Sequence, residues 1–534
     1  MATLSSPLVF ARSARALAET RIVRPYGPRT LYRLASSLLR WGTGLAGGYA
    51  ALAARCGDET AIVDDAGSRT FVQVHREANA LADSLHRLGV CEGDGVAVLC
   101  RNHRWFVEAS IATNRLGADV LYLNTAFSGP QMVEVLERHL PKAVIYDDEF
   151  AGHVAGLPSE IVRIRAWEED QAPAVDGGTV RELILSGSGA DRLPPRRAGR
   201  STILTSGTTG TPKGASRGAG GLGAAAALVS RIPLRHRMTV HIAAPLFHTW
   251  GWGHLNLGML VGSTLVLRRR FEPEDFLATL EGAECDAAVV IPVMLQRVLA
   301  LPEGLRAAYD LSRVQIVAAS GSALPGDVGT EWMDAFGDNL YNTYGSTECA
   351  WATIATPEEL RAHPGTAGRA PVGTTVTLHA DDDAEVPDGE SGRIFVSNSM
   401  LFEGYTGGGG KPIIGNAMAT GDIGRKRSGL LFIEGRDDDM IVSGGENVFP
   451  QEVEDCLMRL EGVVDVAVLG VDDEEFGKRL RAFVAVAPGW TLDEDAVRQH
   501  VKDNLARYKV PRDVRFVSEL PRNATGKVLK KQLT

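Results

Sequence analysis

A run of hydroxyl, glycine and basic residues constrains this 534-residue chain more than any other stretch. It follows the apolar pair Ile203-Leu204, contains no acid, and consists of Thr205, Ser206, Gly207, Thr208, Thr209, Gly210, Thr211, Pro212, Lys213 and Gly214. Glycines let the backbone turn tightly beside a ligand, and exposed N–H groups in such turns bind anions. The hydroxyls and Lys213 add donors and a positive charge. The stretch predicts a polyphosphate-binding loop, although the same residue types also build ordinary surface loops.

Two better-known phosphate motifs do not fit. A Walker A loop would require glycine where Pro212 stands. The segment 218–223 matches G-x-G-x-x-G, but no clear strand precedes it and no acid follows at the distance that a dinucleotide site requires. We therefore interpret it as a flexible loop before a helix that begins at Ala224.

Apolar runs alternate with helical patterns over most of the chain, which predicts an α/β fold with a largely parallel sheet. Strands are expected at Val96–Leu99, Val120–Leu123, Lys142–Tyr146, Val240–Ala244, Thr264–Leu267, Ala287–Ile291 and Val314–Ala318. Helices are expected at Ala78–Leu88, Trp105–Leu116 and Pro273–Leu280. The Pro- and Gly-rich residues 172–200 are expected to be a loop region.

The last third of the chain changes character. Short β-like runs from Val372 to Ile433 suggest a small β-barrel, and Gly435–Asp439 suggests a hinge. Beyond it, helices are expected at Val453–Leu460 and Asp493–Leu505, and strands at Val463–Val468 and Ala482–Val486. We thus expect a large N-terminal domain of two α/β subdomains plus the barrel (51–435) and a small α+β C-terminal domain (436–534).

Residues 1–50 form a separate basic and amphipathic segment. Residues 1–29 carry several arginines and only Glu19 as an acid, which suits a basic arm or a transit peptide. The 31–54 stretch predicts one amphipathic helix that lies either on a membrane surface or on the protein itself. A peripheral membrane contact is thus expected as one option, and the oligomeric state stays open.

Composition excludes several classes of protein. A net charge of −10 argues against a general nucleic-acid binder. Six scattered cysteines without a C-x-x-C pair argue against a zinc site or a disulfide framework and suit a reducing, cytoplasmic compartment. No apolar run is long enough to span a bilayer.

Further motifs make the phosphate loop much more specific. They are Tyr344-Gly345-Ser346-Thr347-Glu348, Thr420-Gly421-Asp422, Gly435-Arg436-Asp437-Asp438-Asp439, Ser443-Gly444-Gly445-Glu446-Asn447 and Gly526-Lys527. In order and spacing they resemble the acyl-adenylate-forming superfamily, which contains acyl-CoA synthetases, peptide-synthetase adenylation domains and firefly-type luciferases. The resemblance covers the chain from about residue 50 to its end. It implies ATP, Mg²⁺ and CoA as cofactors.

The resemblance also implies roles for individual residues. Lys527 would bridge the incoming carboxylate and the α-phosphate, Thr347 would touch that phosphate, and Glu348 would help to hold Mg²⁺. Nucleotide contacts are implied for the 205–213 loop, Ser320, Gly321, Ser322, Tyr344 at the adenine, Asp422 at the ribose hydroxyls, and Arg436. Asp438 would be the hinge, and Gly444 and Gly445 would line the pantetheine channel.

The acid-binding side is less sharply defined. Phe247, His248, Trp250 and Trp252 form a cluster after an expected strand, where the family's acyl pocket lies. Core packing around one hydrogen-bonded histidine is an equal alternative. The chain also departs from the family before Gly421, where Ala417-Met418-Ala419 replaces the frequent Asp-Gly-Trp, and a glycine run occupies 407–410.

Together the motifs predict an ATP-dependent acyl-CoA ligase that resembles fatty-acid-activating members. The alternative is an acyl-AMP ligase that loads a carrier-protein phosphopantetheine. A luciferase-like oxygenase is less favoured. A binding protein that keeps the fold without turnover is disfavoured because Lys213, Glu348, Asp422 and Lys527 are all present.

Overall fold

The computed structural model describes residues 7–22, 24–127, 129–169, 176–205, 213–217, 221–402, 404, 409–437, 439, 441–443, 446–473, 477–523 and 526–533. Its helices are α1 (Pro7–Glu19), α2 (Pro28–Trp41), α3 (Leu45–Cys56), α4 (Phe71–Arg87), α5 (Arg104–Arg115), α6 (Gly129–His139), α7 (Ala151–Val154), α8 (Val180–Ser186), α9 (Gly221–Val229), α10 (Thr249–Val261), α11 (Pro273–Gly282), α12 (Pro292–Leu299), α13 (Glu303–Arg306), α14 (Gly326–Phe336), α15 (Pro357–Ala362), α16 (Pro450–Leu457) and α17 (Glu494–Asn504). Short 3₁₀ turns occupy Asp148–Phe150, Arg507–Lys509 and Lys530–Gln532.

Two large sheets dominate the N-terminal part. Their strands are β1 (Thr60–Asp64), β2 (Gly67–Thr70), β3 (Gly95–Leu99), β4 (Asp119–Tyr122), β5 (Ala143–Tyr146), β6 (Val162–Arg165), β7 (Ser201–Thr205), β8 (Lys213–Arg217), β9 (Thr239–Ile242), β10 (Thr264–Val266), β11 (Ala287–Val290), β12 (Ile316–Ala319), β13 (Leu340–Tyr344) and β14 (Thr353–Ala355). One sheet has the order β14-β13-β12-β11-β9-β10-β1-β2, and the other β6-β5-β3-β4-β7-β8. Inner strands pair in parallel and are buried on both faces, which is why they are continuous apolar runs.

Two smaller sheets follow. The third sheet contains β15 (Thr375–His379), β16 (Ser391–Ser397), β17 (Ile413–Ile414), β18 (Ala417–Arg427) and β19 (Leu430–Arg436). The fourth contains β20 (Ile441–Ser443), β21 (Glu446–Val448), β22 (Val463–Asp473), β23 (Gly477–Val486) and β24 (Asp513–Val517). The expected barrel-like piece is thus a five-stranded antiparallel sheet, and α16 and α17 pack on the fourth sheet as an α+β unit with its own core.

A buried ion pair joins the two large sheets. Asp64 ends β1, and Arg104 begins α5, which follows β3 of the other sheet. The Arg104 backbone N–H and its Nε donate to Asp64 Oδ2 at 2.8 and 2.9 Å, and both side chains are almost fully buried. Because either charge alone would be costly to bury, the pair fixes how the sheets meet.

Three sequence expectations need correction. The residues 172–200, expected to be a loop, contain α8, which a Thr179–Glu182 capping box begins. The single helix expected over 31–54 is two helices, α2 and α3. They separate at Gly42, whose φ of 75° a helix does not accommodate.

The third correction concerns the glycine-rich segment 218–223. Strand β8 runs directly up to it, and α9 begins at Gly221 rather than Ala224. Strand β8 has the sequence Lys-Gly-Ala-Ser-Arg, which lacks the apolar run expected of a strand. Among the described residues β8 lies at the edge of its sheet next to β7, and an edge strand does not need apolar residues on both faces. Among the described residues, no helix has the length and apolar character that crossing a bilayer requires.

Candidate active site

The site begins at the carboxyl ends of three neighbouring parallel strands. Ile291 follows β11, Ser320 to Ser322 follow β12, and Tyr344 ends β13. Ligands of open α/β sheets bind at this edge, beyond the strand ends. Ser320 is buried, and its backbone N–H donates to Val290 O at 3.4 Å. The predicted adenine segment is therefore held on the sheet rather than on a free loop.

Tyr344 joins this edge to the third sheet. Its hydroxyl donates to Asp422 Oδ2 at 2.6 Å, and Thr420 Oγ1 lies 3.1 Å from the same hydroxyl. Burial raises the pKa of Tyr344 well above its usual value, and the Asp422 carboxylate raises it further. The tyrosine thus stays protonated and donates. Two residues predicted to serve adenine and ribose separately are in direct contact.

Asp422 lies in a basic environment. Burial raises the pKa of its carboxyl, while the Tyr344 hydrogen bond and nearby positive charges oppose that rise. Arg436 is opposite it in the β18–β19 register, with Nη1 3.8 Å from Asp422 Oδ1. A Cβ on Gly421 would lie 3.2 Å from Lys411 Nζ and 3.5 Å from Arg436 Nη2. Two cations, one just before β17 and one at the end of β19, therefore meet at the 420–422 motif.

Lys527 comes to the same place from the C-terminal unit. The loop before it is held by Asn523, whose Oδ1 accepts the Lys527 backbone N–H at 2.9 Å. Gly526 has φ of +78°, and a Cβ there would lie only 2.9 Å from Val293 Cγ1 at the start of α12. Only glycine allows this close approach. The C-terminal loop thus lies over the strand-end edge.

The charge of Lys527 is shared among acidic and basic neighbours. Partial removal from water lowers its pKa, and the charge of Arg436 lowers it further, whereas Asp422, Glu348 and Asp439 act in the opposite direction. The residue nevertheless keeps substantial accessible surface. Because water still reaches the side chain, we expect an ammonium ion at neutral pH.

Glu348 and Thr347 are half-buried just beyond β13. The Glu348 N–H donates to Ser346 Oγ at 3.2 Å, and its carbonyl accepts from Phe402 N at 2.8 Å, which fixes the backbone. The Glu348 carboxylate raises the pKa of Lys527, so the two charges lie close enough to interact. Carboxylate oxygens are ligands that Mg²⁺ prefers, so the chemistry of Glu348 fits the predicted metal role, which stays a prediction.

The aromatic cluster divides between core and site. Phe247 is buried in the main core, and Trp250 Nε1 donates to Val290 O at 3.0 Å. Burial lowers the pKa of His248 to about 4, and the charge of Lys527 adds to this, so His248 is a neutral imidazole beside the catalytic lysine candidate. Phe247 therefore fits the alternative of core packing, whereas His248 fits the alternative of a pocket for the acid substrate.

Several predicted residues cannot be located. Outside the described residues lie most of the phosphate loop, the hinge residue and the two channel glycines, namely Ser206, Gly207, Thr208, Thr209, Gly210, Asp438, Gly444 and Gly445. Thr205 ends β7 and pairs with Lys213, the first residue of β8, so the two ends of the loop are adjacent.

Lys411 is a site residue that the sequence analysis missed. Strand β17 pairs with β18, with Ile413 opposite Met418, and this pairing brings Lys411 back to Gly421. The family's usual Asp-Gly-Trp is replaced in this hairpin. A lone lysine directly after the 407–410 glycine run was the available signal.

A buried cluster of a cysteine, a histidine and an aspartate in the N-terminal part stabilises the fold. Cys100, His103 and Asp147 are buried with ligand-type atoms close together. His103 Nε2 lies 2.8 Å from Asp147 Oδ1, and His103 Nδ1 accepts the Trp105 N–H at 3.2 Å. Both imidazole nitrogens are occupied by protein partners, so this cluster caps α5 rather than offering a metal site.

The fold and the site together define a nucleotide-binding α/β enzyme with a cationic residue delivered by a C-terminal unit. Residues 50–406 match the AMP-binding enzyme family, and residues 452–527 match the AMP-binding enzyme C-terminal domain. The chain belongs to the AMP-binding enzyme family, within the acyl-adenylate-forming superfamily.

Curated relatives span nearly the whole chain. Indoleacetate–CoA ligase of Aromatoleum aromaticum is 31% identical over 86% of this chain and 92% of its own length. Feruloyl-CoA synthase of an Amycolatopsis species is 31% identical over 88% of this chain and 94% of its own length. A long-chain-fatty-acid–CoA ligase of Mycobacterium tuberculosis is 30% identical over 86% of this chain and 92% of its own length.

Solved structures share the fold. A benzoate CoA ligase from Burkholderia xenovorans superposes with a TM-score of 0.78, at 25% identity, over 95% of this chain and 100% of that one. The relatives and this structure support an ATP-dependent CoA ligase that works through an acyl- or aryl-adenylate.

Substitution of Asp422 tests the ribose contact. We expect Asp422→Ala to weaken ATP binding by at least about tenfold to a hundredfold, because the loss of even one charge-assisted hydrogen bond costs about 1.5–3 kcal/mol. Calorimetric titration with ATP measures this. Asp437→Ala, an exposed neighbour on the same segment, is the control. Unchanged ATP affinity in Asp422→Ala would remove the residue from the nucleotide site.

Substitution of Lys411 tests the cationic environment. Asp422 accepts hydrogen bonds as a carboxylate, so ATP affinity falls as pH falls through the pKa of its carboxyl. Lys411 lowers that pKa. Lys411→Met should therefore move the acidic limb of the affinity profile to higher pH, while the exposed Lys502→Met should not. An identical profile for Lys411→Met would exclude this coupling.

Proposed function

We propose that this enzyme activates a carboxylic acid with ATP and transfers the acyl group to CoA. The observation that carries the proposal is the convergence of Lys527, Glu348 and Asp422. These side chains come from the C-terminal unit, the β13 end and the third sheet. The close approach of Gly526 to Val293 brings the Lys527 loop to the strand-end edge, where Glu348 and Asp422 raise the pKa of Lys527. Adenylate formation needs a cation, a carboxylate that can bind a metal ion, and a hydrogen-bond acceptor for the ribose hydroxyls, and these three residues supply them.

In the first step the carboxylate attacks the α-phosphate of ATP, an acyl-phosphate bond forms, and pyrophosphate leaves. Two anions must approach each other, so positive charge and positioning matter more than a base. Lys527 neutralises the carboxylate and the α-phosphate, and Thr347 donates a hydroxyl. Asp422 and Tyr344 hold the nucleoside. Mg²⁺ on Glu348 would neutralise charge on the phosphates.

In the second step the CoA thiol attacks the acyl carbon, a thioester forms, and AMP leaves. The thiol must reach the carbon beside which Lys527 lies, so we propose that the C-terminal unit (436–534) rotates about Asp438. The contact of Gly526 with Val293 supports assigning the present arrangement to the first step. The separate matches of 50–406 and 452–527 support a division into two domains, and we propose that the boundary lies between 435 and 436.

Ion pairs near the proposed hinge connect it to the segment that carries Lys527. Lys530 Nζ lies 3.7 Å from Asp439 Oδ2 and 3.5 Å from Glu454 Oε1. Burial raises the pKa of Glu454, and Lys530 opposes the rise. The segment that carries Lys527 is thereby attached to the residue next to the hinge, so both move together.

For the acid we propose a medium- to long-chain fatty acid, with Phe247, His248 and Trp250 lining its pocket. The neutral His248 beside Lys527 and the fatty-acid-activating relative support it. Aryl acids are the second candidate, since the relatives that activate indoleacetate and ferulate are equally similar. An acyl-AMP ligase that loads a carrier-protein phosphopantetheine is the alternative for the acceptor.

A panel of acids tests the proposal. Acetate, decanoate, palmitate, benzoate, ferulate and indoleacetate are each supplied with ATP, Mg²⁺ and CoA, and acyl-CoA is measured by mass spectrometry. We expect the highest kcat/KM for a fatty acid. A preference for an aryl acid would overturn the fatty-acid assignment alone, whereas acyl-AMP that CoA cannot consume would favour the carrier-protein alternative.

For the setting, we propose a cytoplasmic enzyme of small-molecule substrates that makes peripheral membrane contact. Its N-terminal residues supply the candidate surface.

A further inference from the structure

Helix α2 has an inward side and an outward side, and both carry apolar residues. Leu34, Leu38 and Trp41 face the protein to different degrees, with Trp41 buried against Ala46 and Ala50 of α3. On the outward side, Leu31, Ala35 and Leu39 follow one another at intervals of four, so they form a stripe along the helix. Leu39 is 90% exposed, Leu31 48%, and Tyr32, next to Leu31 in sequence, 75%.

A basic row borders this apolar stripe. Arg29 and Arg33 are one turn apart on the exposed side of α2, and neither has a carboxylate partner among the described residues. The first 41 residues carry seven arginines and one acid, Glu19, in a chain whose net charge is −10. The charge of this segment is thus opposite to that of the rest of the protein.

We propose that α2 is a docking surface for an anionic phospholipid bilayer. An apolar stripe beside arginines, on a helix that is not itself apolar all round, is the pattern of helices that lie in the membrane interface. The leucines and Tyr32 would enter the region below the headgroups, and Arg29 and Arg33 would contact lipid phosphates.

The charge distribution favours this partner over a second copy of the chain. Two α2 helices facing each other would bring rows of arginine together without intervening acids. An anionic surface attracts the basic segment and repels the remaining, net acidic protein, so only one face docks. Trp41 and the packing on α3 keep the stripe facing outward.

Flotation with phospholipid vesicles tests the proposal on the full chain. The wild type should float with vesicles of phosphatidylcholine and phosphatidylglycerol, much less with phosphatidylcholine alone, and less as salt rises. Leu39→Glu, which changes a highly accessible side chain, should lower the partition coefficient about tenfold or more, and Arg33→Glu should lower it as well.

Val464→Glu is the matched control, because it places the same charge at an exposed apolar position of the C-terminal unit. It should float like the wild type. All variants should keep the wild-type melting temperature and wild-type activity toward a water-soluble acid. Three results would overturn the proposal: no flotation of the wild type, equal flotation of Leu39→Glu, or a wild-type oligomer that Leu39→Glu dissociates without any vesicle binding.

Discussion

Replacing Lys527 with alanine should lower the rate of acyl-adenylate formation by about 10²–10³-fold, the usual effect of removing one preorganised charge from an active site. Glu348 and Asp422 raise the pKa of this lysine, and its loop is fixed by Asn523 and by the close approach of Gly526 to Val293. Its charge is therefore positioned before the substrates arrive. Pyrophosphate release under saturating acid and ATP measures this step.

The same variant should convert supplied acyl-AMP and CoA to acyl-CoA at nearly the wild-type rate. In that step the adenylate is already formed, so the charge of Lys527 is no longer needed for adenylate formation, and only AMP has to leave. Lys502→Ala, an exposed lysine on α17, should leave both steps unchanged. Near-normal pyrophosphate release from Lys527→Ala would remove the lysine from the reaction.

Replacing Gly445 with leucine should have the opposite pattern. Strand β20 pairs with β21, and Ser443 lies opposite Glu446. This pairing fixes the residues on either side of the two glycines. If the thin pantetheine arm passes Gly445, a leucine side chain would hold the thiol away from the acyl carbon. Misplacement of about 1 Å can cost roughly a hundredfold, so thioester formation should fall by at least about that factor.

Adenylation by Gly445→Leu should remain largely intact. Gly304→Leu is a suitable control, because a side chain there meets open space and lies away from the site. Asp438→Pro should also slow the second step preferentially, since proline removes torsional freedom from the hinge. If Gly445→Leu folds and slows both steps equally, or neither, the channel assignment fails.

The positions of the strands could be predicted because buried parallel strands are unmistakable apolar runs. Val96–Leu99 and Ala287–Ile291 were expected within one residue of β3 and β11. That Tyr344 and the Ser320 segment share one edge follows from the same reasoning, since carboxyl ends of adjacent parallel strands meet. Family resemblance supplied their proposed roles, which no strand pattern could provide.

Other features depend on long-range pairing that local sequence does not encode. Lys411 enters the site only because Ile413 pairs with Met418, and no pattern around residue 411 states that register. Strand β8 is polar because it is an edge, and α8 is short and begins with a capping box inside a polar segment. The hydrogen bond from Tyr344 to Asp422 joins two sheets through residues that are 78 positions apart in sequence.

A single-turnover experiment without CoA tests the central claim most directly. Enzyme in excess over the preferred acid is mixed with ATP and Mg²⁺, and nucleotides and acyl species are followed by mass spectrometry. We predict one pyrophosphate and one enzyme-bound acyl-AMP per acid, followed by conversion to acyl-CoA and AMP when CoA is added. Formation of ADP and phosphate, or acyl-CoA without any acyl-AMP beforehand, would contradict it.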